Sequence, residues 1–443
     1  MSPFIRASLV LLILQGQSLA AADPNYVDLR TVMRLVGANN DEIELARVRH
    51  VQAIAESKQA WQQFWPTPSL GASYRVHDGN VQDIGGAVFD ASKQQYTVGA
   101  TVMIDWSPGE LYYQALVAKQ RVLAAEQVAE QTRQVIVLEA VERYYDLLRA
   151  EAEVAVMEDD LRLLREYAEQ LDGAVTAGTA FRADLLRVKT QISRAQLQVR
   201  KGVEARDLGA AGLAETLRLA PETPLRPAKA DLVPVTLNAA LGAPELVGQA
   251  LANRPEVLAA EAGRSAATLV ERGSRVAPLV PSVQANYVGG GLGGGFDRDW
   301  GNFGGQQDFF VGLSWKIGPG GLFDRQRKRV AEAQKQGAQL QESQVKAAVG
   351  RDVVEALAQV RSAKDQIAIS NEAVTMATEM VKLAKERQAS QLGVVLEYLL
   401  ARDELNLARR SQVEAVVAFN KAQHTLLRAI GGIESAKAGV EVR

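Results

Sequence analysis

Few residues in this 443-residue chain are of types that do chemistry. Gly289-Gly290-Gly291-Leu292-Gly293-Gly294 satisfies the dinucleotide fingerprint GxGxxG by letter. A phosphate site of that kind needs a helix to open at the glycines, with backbone N–H groups aimed at the ligand. The next residues, Phe296-Asp297-Arg298-Asp299-Trp300-Gly301, have no helical character, so the segment reads as a flexible loop. The three histidines, His50, His77 and His424, stand far apart, and there is no cysteine. That pattern opposes a zinc site and histidine-based acid–base catalysis. The six methionines do not cluster, so nothing indicates a copper pathway. No serine elbow or paired-carboxylate motif stands out. The residues predict a protein that is not an enzyme and carries no cofactor or metal.

The elements that would position any site begin at the N-terminus. Arg6 precedes a short apolar run, Ala7 to Leu14, and small residues come next at Ser18-Leu19-Ala20 and Ala20-Ala21-Ala22. The run is too short to span a bilayer and predicts a signal peptide over residues 1–22, with the mature chain starting near Asp23. No second apolar run reaches spanning length. The absence of cysteine leaves no lipid anchor. A membrane location would therefore require a β-barrel. The composition, 47% hydrophobic and 23% charged, fits a folded chain, and a net charge of −2 gives no electrostatic reason to bind nucleic acid.

The chain contains two copies of one unit. Ala38-Asn39-Asn40-Asp41-Glu42-Ile43 matches Ala252-Asn253-Arg254-Pro255-Glu256-Val257. Pro68-Ser69-Leu70 and Tyr74 match Pro281-Ser282-Val283 and Tyr287; Val98-Gly99 matches Val311-Gly312; Pro108-Gly109, Leu111 and Tyr112 match Pro319-Gly320, Leu322 and Phe323. The separation between matched residues is nearly constant from the first match to the last, which marks a structural repeat. The organisation read from this is a first repeat at 23–219, a Pro-rich linker with little regular structure at 220–245, a second repeat at 246–431 and a tail at 432–443.

Each repeat opens with a helix, about 28–63 and 244–275. Strand-like pairs come next at 67–76 with 95–105 and at 281–289 with 308–317, joined by polar glycine-bearing loops over 77–94 and 289–307. Tyr96, Val98, Ala100, Val102 and Ile104 share one face, as a membrane strand requires. Aromatic residues at the strand ends, Trp65, Trp106, Tyr112, Trp315 and Phe323, suit a membrane–water interface. Residues 110–172 lack proline and glycine and would make a helix about 95 Å long. Val154, Met157, Leu161, Leu164, Ala168 and Leu171 form an apolar seam, and Val353, Val360, Ile367, Val374 and Val381 recur at heptad spacing. Breaks at 173–178 and 391–393 lead into returning helices with seams at Phe181, Leu185, Val188, Ile192, Ala195 and Val199, and at Val394, Tyr398, Ala401, Leu405 and Ala408. These are two long antiparallel helical hairpins.

Four strands cannot close a barrel, and open edges are not tolerated in lipid, so each chain must borrow strands from others. In these elements the sequence resembles the TolC-type outer-membrane efflux protein family. The resemblance rests on Ala252-Asn253-Arg254-Pro255-Glu256 with Pro281-Ser282, on Leu217-Arg218-Leu219-Ala220-Pro221-Glu222-Thr223-Pro224-Leu225, and on Phe419-Asn420-Lys421-Ala422-Gln423 through Leu427-Arg428-Ala429-Ile430-Gly431. It implies a mainly helical α and β fold: a homotrimer with a twelve-stranded transmembrane barrel, four strands per chain, continuous with a periplasmic α-helical coiled-coil barrel. It implies an efflux exit duct in contact with outer-membrane lipid, a periplasmic adaptor docked on the hairpin tips, and an inner-membrane transporter. The tip positions are Gly178, Thr179, Leu392 and Gly393. Asp184 and Glu397, which occupy equivalent positions in the two repeats, would ring the tunnel mouth with carboxylates that favour cations. Leu400 stands where the resemblance would lead one to expect an aspartate of the gate, so the gate is expected to differ. Two alternatives stay open: the same duct in type I protein secretion, and a periplasmic coiled-coil adaptor without a pore.

Overall fold

A computed structural model describes residues 25–227, 232–234, 242–297, 300–390 and 393–432; the expected signal peptide, Leu392 and all but the first residue of the tail lie outside these. The opening helix of each repeat is broken where the copies align. α1 (Leu29–Asn39) and α2 (Asp41–Gln62) meet at Asn40, whose side chain caps α2 by accepting from the Glu42 and Ile43 N–H groups. α5 (Ala243–Asn253) and α6 (Pro255–Val276) meet at Arg254, because Pro255 cannot continue the preceding hydrogen-bond ladder but suits a first helical position. The Thr31 hydroxyl, together with the Thr31 N–H at 2.8 Å, holds the Asp28 carboxyl below the usual range at the start of α1.

β2 (Thr67–Gln82), β3 (Val88–Trp106), β5 (Ser282–Phe296) and β6 (Gly304–Ser314) form one antiparallel sheet in the order β2-β3-β5-β6. The strands are longer than their apolar alternation suggested. Most of 77–94 and 289–307 is ladder, not loop, and the glycine run 289–294 lies wholly within β5. Ladder hydrogen bonds need backbone alone, so a hairpin continues through polar residues wherever neither face must pack dry. The β2–β3 turn shrinks to residues 83–87, closed by Ala87 N–H to the Asp83 carboxylate at 2.8 Å.

The long helices are α3 (Pro108–Thr176), α4 (Arg182–Thr216), α7 (Arg325–Ala389) and α8 (Val395–Ala429). Gly173 lies inside α3, so the first break is later than expected. Among the described residues of the linker, β4 (Leu225–Pro227) pairs in parallel with β1 (Asn25–Val27), and Leu225 is buried. The chain divides into two compact units. One comprises Met1–Ala38, Glu139–Pro234 and Ala363–Lys421; the other comprises Asn39–Leu138, Val235–Ser362 and Ala422–Arg443.

The first unit has a dry core of Leu164, Tyr167, Ala168 and Leu171 from α3, Leu185 and Val188 from α4, Ala384 from α7, and Val395, Tyr398 and Leu399 from α8. Phe181, expected in the seam, is instead exposed at the N-cap of α4. In the second unit Arg254 is buried among Glu256 at 2.8 Å and Asp352 at 2.9 Å, and Arg428 reaches Glu256 at 3.0 Å. Burial is the largest single influence on the Glu256 pKa and would raise it, but the Arg254 hydrogen bond, a backbone hydrogen bond and the charges of Arg254 and Arg428 together outweigh it and the net shift is downward. This cluster ties the start of α6 to α7 and α8.

Candidate functional site

The three strand registers run without a bulge, so side-chain alternation is uninterrupted across the sheet. Residues paired across antiparallel strands share a face. One face carries Leu70, Ala72 and Tyr74, then Tyr96, Val98, Ala100, Val102 and Ile104, then Ala285 and Tyr287, and Phe309, Val311 and Leu313. The other carries Ser69, Ser73, Thr97, Thr101, Gln284, Asn286 and Asp308. Ser73 and Thr97 hydroxyls meet there at 2.6 Å. An apolar face opposite a polar one is the pattern of a barrel with lipid outside and water within.

Aromatic residues bound the apolar face at both ends. Trp65 precedes β2, Trp106 ends β3, and Trp315 follows β6, with its indole N–H donating to the Leu279 carbonyl at 3.3 Å. Tyr112 and Phe323 are exposed beside the helix starts. The other end holds a cluster that sequence reasoning missed. The Trp300 ring stacks on Tyr74 at 5.1 Å between centroids and also meets Tyr96, and Phe303 stacks on Tyr96 at 5.8 Å. Gly291 and Gly293 leave the room: a Cβ on Gly291 would lie 2.1 Å from Phe303, and one on Gly293 would lie 2.4 Å from Tyr96. The signal was present as Tyr74 and Tyr96 on one face with a tryptophan in the loop, but their meeting depends on register. From Tyr96 to Trp106 the strand rises about 33 Å, which at a tilt near 40° is about 25 Å of height, the thickness of an outer-membrane apolar band.

The hairpin tips are built by backbone. Gly178 has φ of +76°; its N–H donates to the Val175 carbonyl at 3.0 Å and the Thr179 N–H to Ala174 at 2.9 Å. This is a Schellman closure of α3, and only glycine takes that conformation without strain. At the second tip the Gly393 N–H donates to the Arg387 carbonyl at 3.0 Å. Asp184 and Glu397 occupy equivalent first-turn positions of α4 and α8, where the helix dipole favours a carboxylate. They take separate partners, Arg187 at 3.4 Å and Arg387 at 3.2 Å. Arg187 is the repeat-equivalent of Leu400, so the two copies diverge at this position.

Behind the tips, Tyr167 and Tyr398 pack with centroids 4.5 Å apart, and Gln388 donates to the Tyr167 hydroxyl. Burial raises both phenol pKa values. Further along α3, Asp160 pairs with the buried Arg402 at 2.8 Å and accepts from Asn406, while its neighbour Asp159 pairs with Arg409 at 3.0 Å. Burial pushes the Asp160 pKa up despite Arg402, whereas a hydrogen bond from Arg162 holds that of Asp159 down. In the second unit a cavity of about 580 Å³ lies among α2, α3, α6 and α7; its wall mixes Glu56, Gln114 and Arg121 with Val117 and Val330. Among the described residues no cluster of His, Asp and Glu could hold a metal ion, and no helix is long and apolar enough to cross a membrane.

Residues 246–432 match the family model described as outer membrane efflux protein. Among solved structures, a membrane protein from Pseudomonas aeruginosa superposes with a TM-score of 0.77 at 22% identity, covering 91% of this chain and 93% of that one. The outer membrane protein VceC from Vibrio cholerae gives 0.75 at 19%, covering 91% and 96%. The Campylobacter jejuni CmeC outer membrane channel gives 0.76 at 15%, covering 91% and 86%. Among curated proteins none matches the chain. At these identities the likeness establishes the fold, which is the one these outer-membrane proteins share.

Proposed function

From a chain whose second repeat matches the outer membrane efflux protein family and whose fold is that of outer-membrane channels, we propose that the protein is the outer-membrane exit duct of a tripartite efflux pump. The observation that carries this is the sheet. It is antiparallel, apolar on one face, polar on the other, bounded by aromatics, and open at both edges, β2 and β6. Such edges are not stable in lipid unless other copies pair with them. Three chains give twelve strands, a number within the range of such barrels.

The helices support a ring. Within the chain α3 of the first repeat packs on α8 of the second. By repeat equivalence, α7 of the second repeat should pack on α4 of the first in the next chain, a head-to-tail contact that closes if the rotation does. Both helices present apolar faces for it: Leu186, Leu197 and Leu208 on α4, and Ile369, Met376, Met380 and Leu383 on α7, all exposed in the single chain. The tips at Gly178, Thr179, Leu392 and Gly393 would meet the adaptor, and an inner-membrane transporter would feed the tunnel.

Fractionation tests the reading. The protein should resist salt and carbonate washes, enter solution only with detergent, run as a trimer and conduct ions in a planar bilayer. Recovery in the soluble periplasmic fraction would overturn it.

A further inference from the structure

The polar face of the sheet changes charge along its length. At the helix end it carries Asp105, and midway Asp308. Between these and the Tyr74–Tyr96 level the residues are neutral: Ser73, Thr97, Thr101, Gln284 and Asn286. Beyond that level β2 and β3 continue as a hairpin, and its polar-face side chains include Arg75, His77 and Lys93. His77 lies directly opposite Lys93, and Arg75 is opposite Gln95, which places Arg75 diagonal to Lys93. Diagonal neighbours in a ladder sit roughly 7–8 Å apart.

The hairpin's other face is the reverse. Asp78 and Asp90 project there, with Ser92 and Asn80 opposite them, and Asp83 stands in the turn. The hairpin is thus basic on the side continuous with the polar face and acidic on the side continuous with the apolar one. The diagonal places Arg75 and Lys93 within reach of each other, so that their positive charges add at one place on this face. Among the described residues nothing pairs with these charges: neither the Arg75 nor the Lys93 side chain forms a hydrogen bond or ion pair, and His77 Nε2 is shielded without a partner.

We propose that Arg75 and Lys93 form an electropositive collar at the external mouth of the lumen, which favours the passage of anionic solutes over cationic ones. The proposal rests on the duct reading, which places the polar face inward. In a trimer the collar holds six fixed positive charges, and rings of basic side chains favour anions. Screening limits their reach to about 8 Å at physiological salt, so the collar acts on solutes near the wall and its effect is a few-fold, not an absolute barrier. It is opposite in sign to the carboxylates at the hairpin tips and independent of them.

The chain has no cysteine, so a single introduced thiol reads the local potential. Gln95→Cys lies on the polar face between the two charges, Asn286→Cys lies on the same face nearer the helix end, and Val98→Cys lies on the apolar face. In intact cells each thiol would be treated with an anionic methanethiosulfonate (sulfonatoethyl) and its cationic trimethylammonium counterpart, with rates normalised to a free thiol. Gln95→Cys should react about threefold or more faster with the anionic reagent. Combined with Arg75→Gln and Lys93→Gln the ratio should fall to about one, and Lys93→Arg should keep it. Asn286→Cys should show no anionic preference. A ratio at Gln95→Cys that survives neutralisation of Arg75 and Lys93 overturns the collar while leaving the duct intact. Protection of Gln95→Cys together with modification of Val98→Cys would invert the sheet and overturn the duct reading itself.

Discussion

Asp159 and Asp160 are adjacent on α3 and pair with arginines on the same helix, α8, yet they should differ sharply when removed. The Asp160 side chain is 12% exposed and its partner Arg402 only 5%. Losing one member of a buried pair strands the other, at about 3–5 kcal/mol. Asp403 still reaches Arg402 at 2.9 Å from a half-exposed position, so the low end, about 3 kcal/mol, applies to Asp160→Ala. Asp159 and Arg409 are 36% and 34% exposed, and such pairs contribute about 0.2–1 kcal/mol. Thermal unfolding of the detergent-solubilised protein, followed by far-UV circular dichroism at pH 7, should show an apparent drop of about 3 °C for Asp160→Ala and of about 1 °C or less for Asp159→Ala, because a chain of 443 residues has an unfolding entropy of about 0.9 kcal/mol/K. Arg402→Met should cost less than Asp160→Ala, because the carboxyl left behind neutralises by taking a proton, toward which burial already biases it. A carboxyl whose folded pKa is raised favours the folded state at low pH, so the Arg402→Met deficit should shrink on acidification. Equal losses for Asp159→Ala and Asp160→Ala would refute the reasoning.

Three further outcomes are expected. His424 is 1% exposed, and burial depresses its pKa to about 4 from 6.5. Its neutral form therefore supports folding fully above pH 6.5, and that support, up to about 3 kcal/mol, drains away as pH falls toward 4; a His424→Gln variant should show a flatter decline in unfolding temperature between pH 7.5 and pH 5. Gly178→Asp or Gly393→Asp should abolish adaptor pull-down while leaving the trimer on native gels, since φ of +76° at Gly178 and the 3.0 Å approach of a Gly393 Cβ to the Gln388 nitrogen confine the disturbance to the tips. Replacing both Asp184 and Glu397 by their amides should lower cation preference in bilayer recordings; unchanged selectivity would assign both to surface pairing with Arg187 and Arg387.

What the sequence disclosed depended on which part of the chain carries the information. The long helical hairpins and the buried seam residues Leu164, Leu171, Leu185 and Val188 were legible because apolar periodicity reports burial directly. The strands were legible only where a face is apolar, so their polar extensions through His77, Asn80 and Asp90 were read as loop. The glycine run of β5 was misread for the same reason: it pairs on one side with polar residues of β6 and on the other with β3, in the other repeat, and no apolar alternation announces either. The Tyr74–Trp300–Tyr96–Phe303 stack and the Asp160–Arg402 tie were invisible for a related reason, since each joins the two repeats and depends on how they meet.

That meeting also separates the two kinds of seam. In the register that makes Asp184 equivalent to Glu397, Asp160 and Tyr167 of α3 correspond to Ala373 and Met380 of α7, and Arg402 and Asn406 of α8 correspond to Lys189 and Ser193 of α4. The α3–α8 seam inside the chain therefore adds a specific polar tie to its dry core, while the equivalent α7–α4 surfaces carry exposed Ile369, Met376, Met380, Leu186 and Leu197. A buried polar tie fixes register once, during folding of the chain; apolar stripes supply association without demanding a charge match across chains. A charge at Met376, which is 60% exposed in the single chain, should cost the fold of that chain little and the assembly much. Met376→Glu should lose the trimer on native gels yet keep its helical circular dichroism, the reverse of Asp160→Ala, which should lose helical stability first. A Met376→Glu protein that still forms the trimer would place α7 outside the contact between chains.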